Sequence, residues 1–244
     1  MSDIKELLEE LKTINDKDIF DVFVPSLNKK VPFRAFSVKQ HKDIIKTALD
    51  GISGSVLVNK VFNDIIKENS TKEYVFSVYD RNKILIDLRR QSISDNFTYE
   101  DKDYKLSELP EYSFEFTTSE TFAYKGITIN VEMPSLEIDS AVTEKCAIEI
   151  NKLTSEEKKV NTSINLLLIY ELIKFIKTIK TGTGEINFCD LNIYERRNIV
   201  EALPLRLNNE VLDYITRYKQ YEQELLTFSD GTKLIIDASF LTGE

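Results

Sequence analysis

Residues 20–48, FDVFVPSLNKKVPFRAFSVKQHKDIIKTA, contain the pattern of a strand, a turn, a second strand and the start of a helix. Apolar residues alternate with other residues on both sides of the turn, which is the period of β-strands. Pro25 ends the first run, because proline donates no N–H to a ladder. Ser37 stands where the N-cap of a helix is expected. The stretch therefore predicts a β-hairpin followed directly by a helix.

The order of these features resembles the start of the T-even-like phage baseplate hub proteins. The matching features are the Pro-Ser-Leu at 25–27, the basic turn with Lys29 and Lys30, the Phe-Arg-Ala-Phe at 33–36 and a lysine-bearing helix. A second similar segment spans residues 75–93, where Asp80-Arg81 precedes Leu88-Arg89-Arg90-Gln91-Ser92. A third spans residues 194–204 and ends in Leu-Pro. Relatives often have cysteines in the middle of the chain, so no cysteine-dependent role is transferred to Cys146 and Cys189.

The resemblance implies a structural component of a contractile phage tail baseplate, in the hub or inner baseplate. Such a protein acts through protein–protein interfaces in tail assembly, with other hub or wedge proteins as partners or as a homo-oligomer. The implied location is the tail baseplate of the virion, after synthesis in the host cytoplasm. Two alternatives stay open. One is a transient chaperone of hub assembly, and the more distant one is a carboxylate-dependent enzyme.

Composition narrows the class of protein. The chain has 244 residues and a net charge of −9, so we expect no nucleic-acid partner, since phosphate binding needs clustered lysine and arginine. Its longest apolar run, residues 166–170, is far too short to span a membrane. Two cysteines and one histidine do not match a zinc-site spacing. We therefore predict no membrane partner, no metal and no other cofactor.

The coarse pattern predicts an α+β protein with a helical N-terminal part, a central antiparallel sheet and a helical C-terminal part. Residues 1–16 form an amphipathic helix, and residues 17–95 form the hairpin plus helices, with Asp80 as the N-cap of one of them. Residues 96–152 show the alternation of antiparallel strands. Residues 153–244 are helical, with the most buried helix over 164–179 and a terminal β-hairpin around 229–232.

Three groups of residues are candidates for interfaces. The N-terminal stripe either packs on its own domain or docks on another subunit. The arginine pair either suits the negative end of its helix or contacts an acidic neighbour. The hairpin turn, with two lysines, suits a protruding contact with an acidic surface. The complete set is Ile4, Leu7, Leu8, Leu11, Ile14, Pro25, Ser26, Leu27, Lys29, Lys30, Arg89 and Arg90.

Motifs of known catalytic chemistry are missing from the sequence. The single histidine, His41, lies between polar residues on a predicted helix, where a solvated side chain is expected. Residues 182–184, Gly-Thr-Gly, are too short for a phosphate-binding fingerprint and are typical of a helix end. We therefore predict no catalytic residues and no enzymatic activity.

Overall fold

The computed structural model describes residues 2–99, 102–112, 116–153 and 160–242. Its helices are α1 (Ser2–Lys17), α2 (Val38–Ala48), α3 (Gly51–Asn69), α4 (Val78–Ser92), α5 (Leu136–Lys152), α6 (Val160–Phe175), α7 (Ile193–Ala202), α8 (Leu205–Leu225) and α9 (Ala238–Thr242). Its strands are β1 (Ile19–Val24), β2 (Lys29–Arg34), β3 (Asn96–Tyr99), β4 (Lys102–Lys105), β5 (Ser119–Tyr124), β6 (Ile127–Glu132), β7 (Ile176–Thr181) and β8 (Gly184–Asn187). Helices occupy both ends and an antiparallel sheet lies between them, which confirms the predicted α+β class.

The predicted N-terminal hairpin is confirmed. β1 and β2 pair antiparallel with Phe20 opposite Phe33, and a 3-10 turn at Pro25–Leu27 joins them. Asn28 leaves this turn with a φ of 47°, a left-handed conformation that asparagine tolerates better than most residues. Val31 and Phe33 are buried, so one face of the hairpin belongs to the core.

Capping boxes form the N-termini of α2 and α4. At α2, the Ser37 hydroxyl accepts from the Gln40 N–H and the Gln40 side chain accepts from the Ser37 N–H. At α4, the prediction of Asp80 as the N-cap is wrong by three residues. Ser77 is the N-cap, and the Asp80 carboxylate accepts from the Ser77 N–H. Asp80 is therefore available to bind a second segment as well.

The central sheet has the strand order β5-β6-β7-β8, with every neighbouring pair antiparallel. The prediction of β structure over 96–152 is correct for β3 to β6 and wrong beyond them, because Leu136–Lys152 forms α5. Ser135 caps this helix by accepting from the Ile138 N–H, and Glu137 and Asp139 in its first turn suit the helix dipole. Part of the predicted β region, residues 113–115, lies outside the described residues.

The helix predicted over 164–179 is too long, because it ends at Phe175 and the chain continues as β7. Ile176 and Ile179 are both buried although they are three positions apart, a spacing that resembles a helix. An irregularity of the β6–β7 register between Asn130 and Val131 explains this spacing, because it lets one extra residue of β7 pass without a partner. The burial came from the sheet and not from a helical face.

The predicted terminal β-hairpin is correct for its turn but not for its strands or its terminal position. Thr227 and Lys233 form only an isolated bridge around a turn, and the described chain ends in the short helix α9. The Phe240 carbonyl of α9 accepts from Arg89 Nε of α4 at 2.7 Å, so the C-terminal segment is tied to the N-terminal half. The turn residues determine where the chain reverses direction. Extended strands on both sides of the turn need more paired residues than this short segment supplies.

The buried apolar side chains form one cluster that draws on the hairpin, the sheet and helices from both ends of the chain. A group of aromatic rings from α4, α8 and the segment before β5 packs within it: Tyr79, Phe116, Tyr214, Tyr218 and Tyr221. Within the described ranges, no helix has the length and hydropathy that crossing a membrane requires.

Candidate interaction surfaces

The apolar stripe of α1 stays largely uncovered. Ile4, Leu7 and Leu11 are 66%, 54% and 48% exposed, and α1 lies against β2. The side chains of Leu8 and Ile14 lie outside the described part of the chain. Large apolar side chains at helical spacing that remain exposed are typical of a helix that docks on another surface.

The Pro-Ser-Leu turn contacts the core and helix α4 of its own chain. Pro25 is buried, and Leu27 is half-buried against the core. The Ser26 N–H donates to Asp80 Oδ1 at 2.8 Å, and the Ser26 hydroxyl donates to Asp80 Oδ2 at 2.5 Å. Asp80 is fully buried, and burial raises its pKa while the hydrogen bonds from Ser26 and Ser77 oppose that rise. The turn is thus held against the first turn of α4.

A second contact fastens the hairpin to the other end of α4. The Phe36 N–H donates to the Ser92 hydroxyl at 2.7 Å, while Ser26 and Asp80 make the contact at the helix start. The helix lies along β1 between these points. The Pro-Ser-Leu and Phe-Arg-Ala-Phe features of the sequence therefore clamp onto the helix that contains Asp80 and Ser92. These residues have a structural role in this chain.

The two lysines at the hairpin tip point in different directions. Lys29 Nζ lies 4.4 Å from the centroid of the Tyr74 ring, a cation–π contact. Lys30 is exposed, and its side chain leaves the opposite face of β2, since neighbours on a strand alternate. Tyr74 lines a groove of about 480 Å³ together with Lys72 and the exposed Val75. Lys29 therefore borders a groove, whereas Lys30 does not share that face.

The two arginines at the end of α4 differ in burial and in the groups that they bind. Arg89 is buried, and its guanidinium donates to the carbonyls of Phe240, Ser94 and Asn96. It is an internal tie between α4 and later segments, so we exclude it from any proposed interface. Arg90 is half-buried and bonds within the chain, to acidic side chains on α4 and just after it. Both side chains are thus bonded within the chain, Arg89 to backbone carbonyls and Arg90 to carboxylates.

A cluster of buried charges joins four helices and was not found from the sequence. Asp139 of α5 accepts from Asn63 Nδ2 at 2.8 Å and Arg81 at 2.9 Å, and pairs with Lys174 Nζ at 2.8 Å. These partners belong to α3, α4 and α6. Burial alone would raise the pKa of Asp139, but the charges of Lys174 and Arg81 outweigh it and hold the pKa at about 2. Contacts between residues this far apart in sequence leave no local pattern.

The same cluster continues to α8 around a cleft of about 430 Å³. Glu171 binds Lys174 at 3.2 Å and Lys219 at 2.9 Å, and Glu222 accepts from the Tyr218 hydroxyl at 2.8 Å. A cleft with several carboxylates is the feature that would favour a carboxylate-dependent enzyme. Here each carboxylate is already bonded to a cation or a hydroxyl, so the arrangement suits a structural network.

The two cysteines differ in accessibility. Cys146 is buried, and burial raises the pKa of its thiol to about 11. Cys189 is exposed just after β8. Within the described part of the chain, no group of three or more His, Cys, Asp or Glu side chains is placed to hold a metal ion.

Sequence reasoning also missed an exposed stripe on α6. Its N-terminal half was predicted to be deeply buried because apolar residues surround the helix, yet Ile164, Leu167 and Leu168 are exposed. α8 contacts α6, with Lys219 bonded to Glu171 near the middle of the helix. An all-round apolar pattern does not show which turns of a helix a later element covers.

A family model described as T4 bacteriophage base plate protein matches residues 17–225. The chain belongs to this family. No curated protein and no solved structure matches this T4 baseplate family protein. The matched region includes the hairpin, the clamp on α4, the charge cluster and the sheet. Family membership makes the protein a structural component of a phage baseplate. The charge cluster, in which each carboxylate is bonded within the chain, is consistent with a structural role.

Proposed function

We propose that this baseplate protein is a hub or inner-baseplate subunit that joins other hub or wedge proteins during tail assembly. It is made in the host cytoplasm and remains in the virion tail. The exposed apolar stripe of α1 supports this proposal most directly, and the Lys29 side of the hairpin tip supplies a second contact. Burying each stripe residue on a partner contributes roughly 1.5–3 kcal/mol before the costs of ordering. Charged neighbours of the stripe then select the partner.

Deleting residues 1–16 is the test of the α1 interface. We expect the melting temperature to stay nearly unchanged, because the described stripe side chains bury little surface in the monomer. Pull-down of co-expressed baseplate proteins should fall strongly. The double change Leu7→Asp and Leu11→Asp should have the same effect, whereas Leu205→Asp, at another exposed leucine, should have none. A large loss of monomer stability with intact assembly would assign α1 to the protein's own fold.

Charge reversal at the hairpin tip tests the second contact. Replacing both Lys29 and Lys30 by glutamate should leave the fold intact, since exposed charges contribute little to stability. The same change should weaken assembly, most clearly at moderate salt. Lys29→Glu alone should reproduce the effect because it borders the Tyr74 groove, and Lys30→Glu is the matched control. Normal assembly of the double variant at every salt concentration would show that the tip is only a solvated turn.

Quantitative mass spectrometry of purified virions distinguishes a permanent subunit from an assembly chaperone. A subunit is present in a fixed ratio to the other baseplate proteins. A protein that binds the hub proteins in cells but is missing from finished virions acts as a chaperone, and the hub-subunit proposal is then wrong.

A further inference from the structure

One edge of the central sheet continues a row of core side chains into solvent. Phe122, Ile129, Ile179 and Ile186 lie opposite one another across β5, β6, β7 and β8. Ile129 and Ile179 are 0% and 6% exposed, but Ile186 on β8 is 47% exposed. Within the described residues β8 pairs with β7 alone, so its outer side has no strand beside it. A further strand would cover Ile186 and extend the row.

Two polar rows reach the same edge and define what a further strand must contain. Asn130 links Thr121 and Thr178 through two hydrogen bonds of 2.7 Å, and Thr178 lies opposite Asn187 of β8. Two pairs further along, beyond Ile179 and Ile186, Lys180 of β7 lies opposite Glu185. A strand added to β8 would therefore meet the Glu185 carboxylate and the Ile186 side chain at successive positions. The Asn187 amide next to them already accepts from the Cys189 N–H and donates to Asp190, so it is not counted as a recognition group.

The backbone of β8 can accept such a strand. Residues 182–183 form a two-residue loop, so Thr181 and Gly184 beside it form a hydrogen-bonded pair. Because the pattern alternates along an antiparallel ladder, Glu185 turns its N–H and C=O away from β7. Among the described residues no strand pairs with them, so they can bond with an incoming chain, which is the usual basis of recognition by strand addition.

We propose that β8 binds an extended segment of a different baseplate protein as a fifth strand. The segment has a basic residue opposite Glu185 and an apolar residue opposite Ile186. This inference rests on the proposed function, because it supposes partners in the baseplate. The basic residue continues the alternation of charge that begins at Lys180 and Glu185.

A second copy of this chain fits the edge less well. Two β8 strands that pair with Ile186 against Ile186 place Asn187 opposite Glu185, so neither glutamate gains a basic neighbour. Two chains of net charge −9 also repel each other. Beyond β8, Cys189 lines a groove of about 410 Å³ together with the exposed Val75, so a longer segment finds further apolar surface there.

Hydrogen exchange on the purified complex with co-expressed baseplate proteins tests the proposal. The amide of Glu185 should exchange about tenfold or more slowly in the complex than in the free protein. A photoreactive crosslinker on Cys189, the exposed thiol, should join the partner through an extended segment with the predicted order of residues. Ile186→Asp should reduce binding about tenfold or more, whereas Ile186→Val and Leu205→Asp should not.

Unchanged exchange at Glu185 in a complex that forms normally would overturn the strand-addition proposal and leave the proposed function intact. Crosslinking of Cys189 to a second copy of this chain would also overturn it, since the partner would be the wrong one. If no complex forms with any baseplate protein, both proposals are wrong. The Cys189→Ser variant is the control for specific labelling.

Discussion

Replacing Asp139 by alanine is expected to lower the free energy of unfolding by about 3–5 kcal/mol, since one carboxylate of a buried charge cluster is removed and its cations remain. Arg81 and Lys174 would lose the group to which they bond at 2.9 Å and 2.8 Å. Asn63 would lose its carboxylate acceptor as well. Urea denaturation followed by circular dichroism measures the change.

Asp64→Ala is the matched control, because it removes an aspartate that pairs with Lys60 on the outer side of α3. We expect a loss of no more than about 0.5 kcal/mol for such a half-buried i,i+4 pair on one helix. Equal losses at Asp139 and Asp64 would show that the buried cluster does not hold the helices together.

The low pKa of Asp139 adds a pH dependence with a definite sign. Its folded pKa of about 2 lies below the ordinary 3.8, so its contribution is complete above the ordinary value and is lost as the pH falls toward 2. Wild type should therefore lose about 2 kcal/mol more than Asp139→Asn between pH 5 and pH 2. Parallel curves for the two proteins would contradict this assignment.

Replacing Asp80 by alanine is expected to lower the free energy of unfolding by about 3 kcal/mol, because the half-buried N–H groups of Ser26 and Ser77 would lose a charged acceptor. The Ser26 hydroxyl would lose the same partner. Since these bonds hold the hairpin turn on α4, hydrogen exchange in β1 and β2 should accelerate more than exchange in the central sheet.

Ser26→Ala is the graded control for Asp80, because it removes only the hydroxyl bond and should cost about 1 kcal/mol. Asp80→Asn should lie between the two, since an amide keeps one acceptor but presents a donor to the other groups. An Asp80→Ala loss as small as that of Ser26→Ala would mean that the clamp does not depend on the carboxylate.

Local patterns predicted the elements that depend on near neighbours. The alternation around Pro25–Leu27 predicted the hairpin, and Ser37 as an N-cap predicted the start of α2, because a few adjacent residues determine each feature. The family resemblance was equally readable, and the match over 17–225 confirms it. The prediction failed at α5 because capping residues start a helix where strands were expected. It failed at β7 because a strand irregularity gives buried residues a helix-like spacing.

The sequence by itself determined the α+β class, the hairpin, the amphipathic α1 and membership of a baseplate family. Only the tertiary structure decided which candidate residues remain available to partners. In the folded chain Arg89 is buried, Ser26 binds Asp80, and Lys29 and Lys30 lie on opposite faces of β2. The tertiary structure also assembled the charge cluster around Asp139 and left Ile186 at an open edge. The physical reason is that burial and pairing depend on residues distant in the chain, which no local period records.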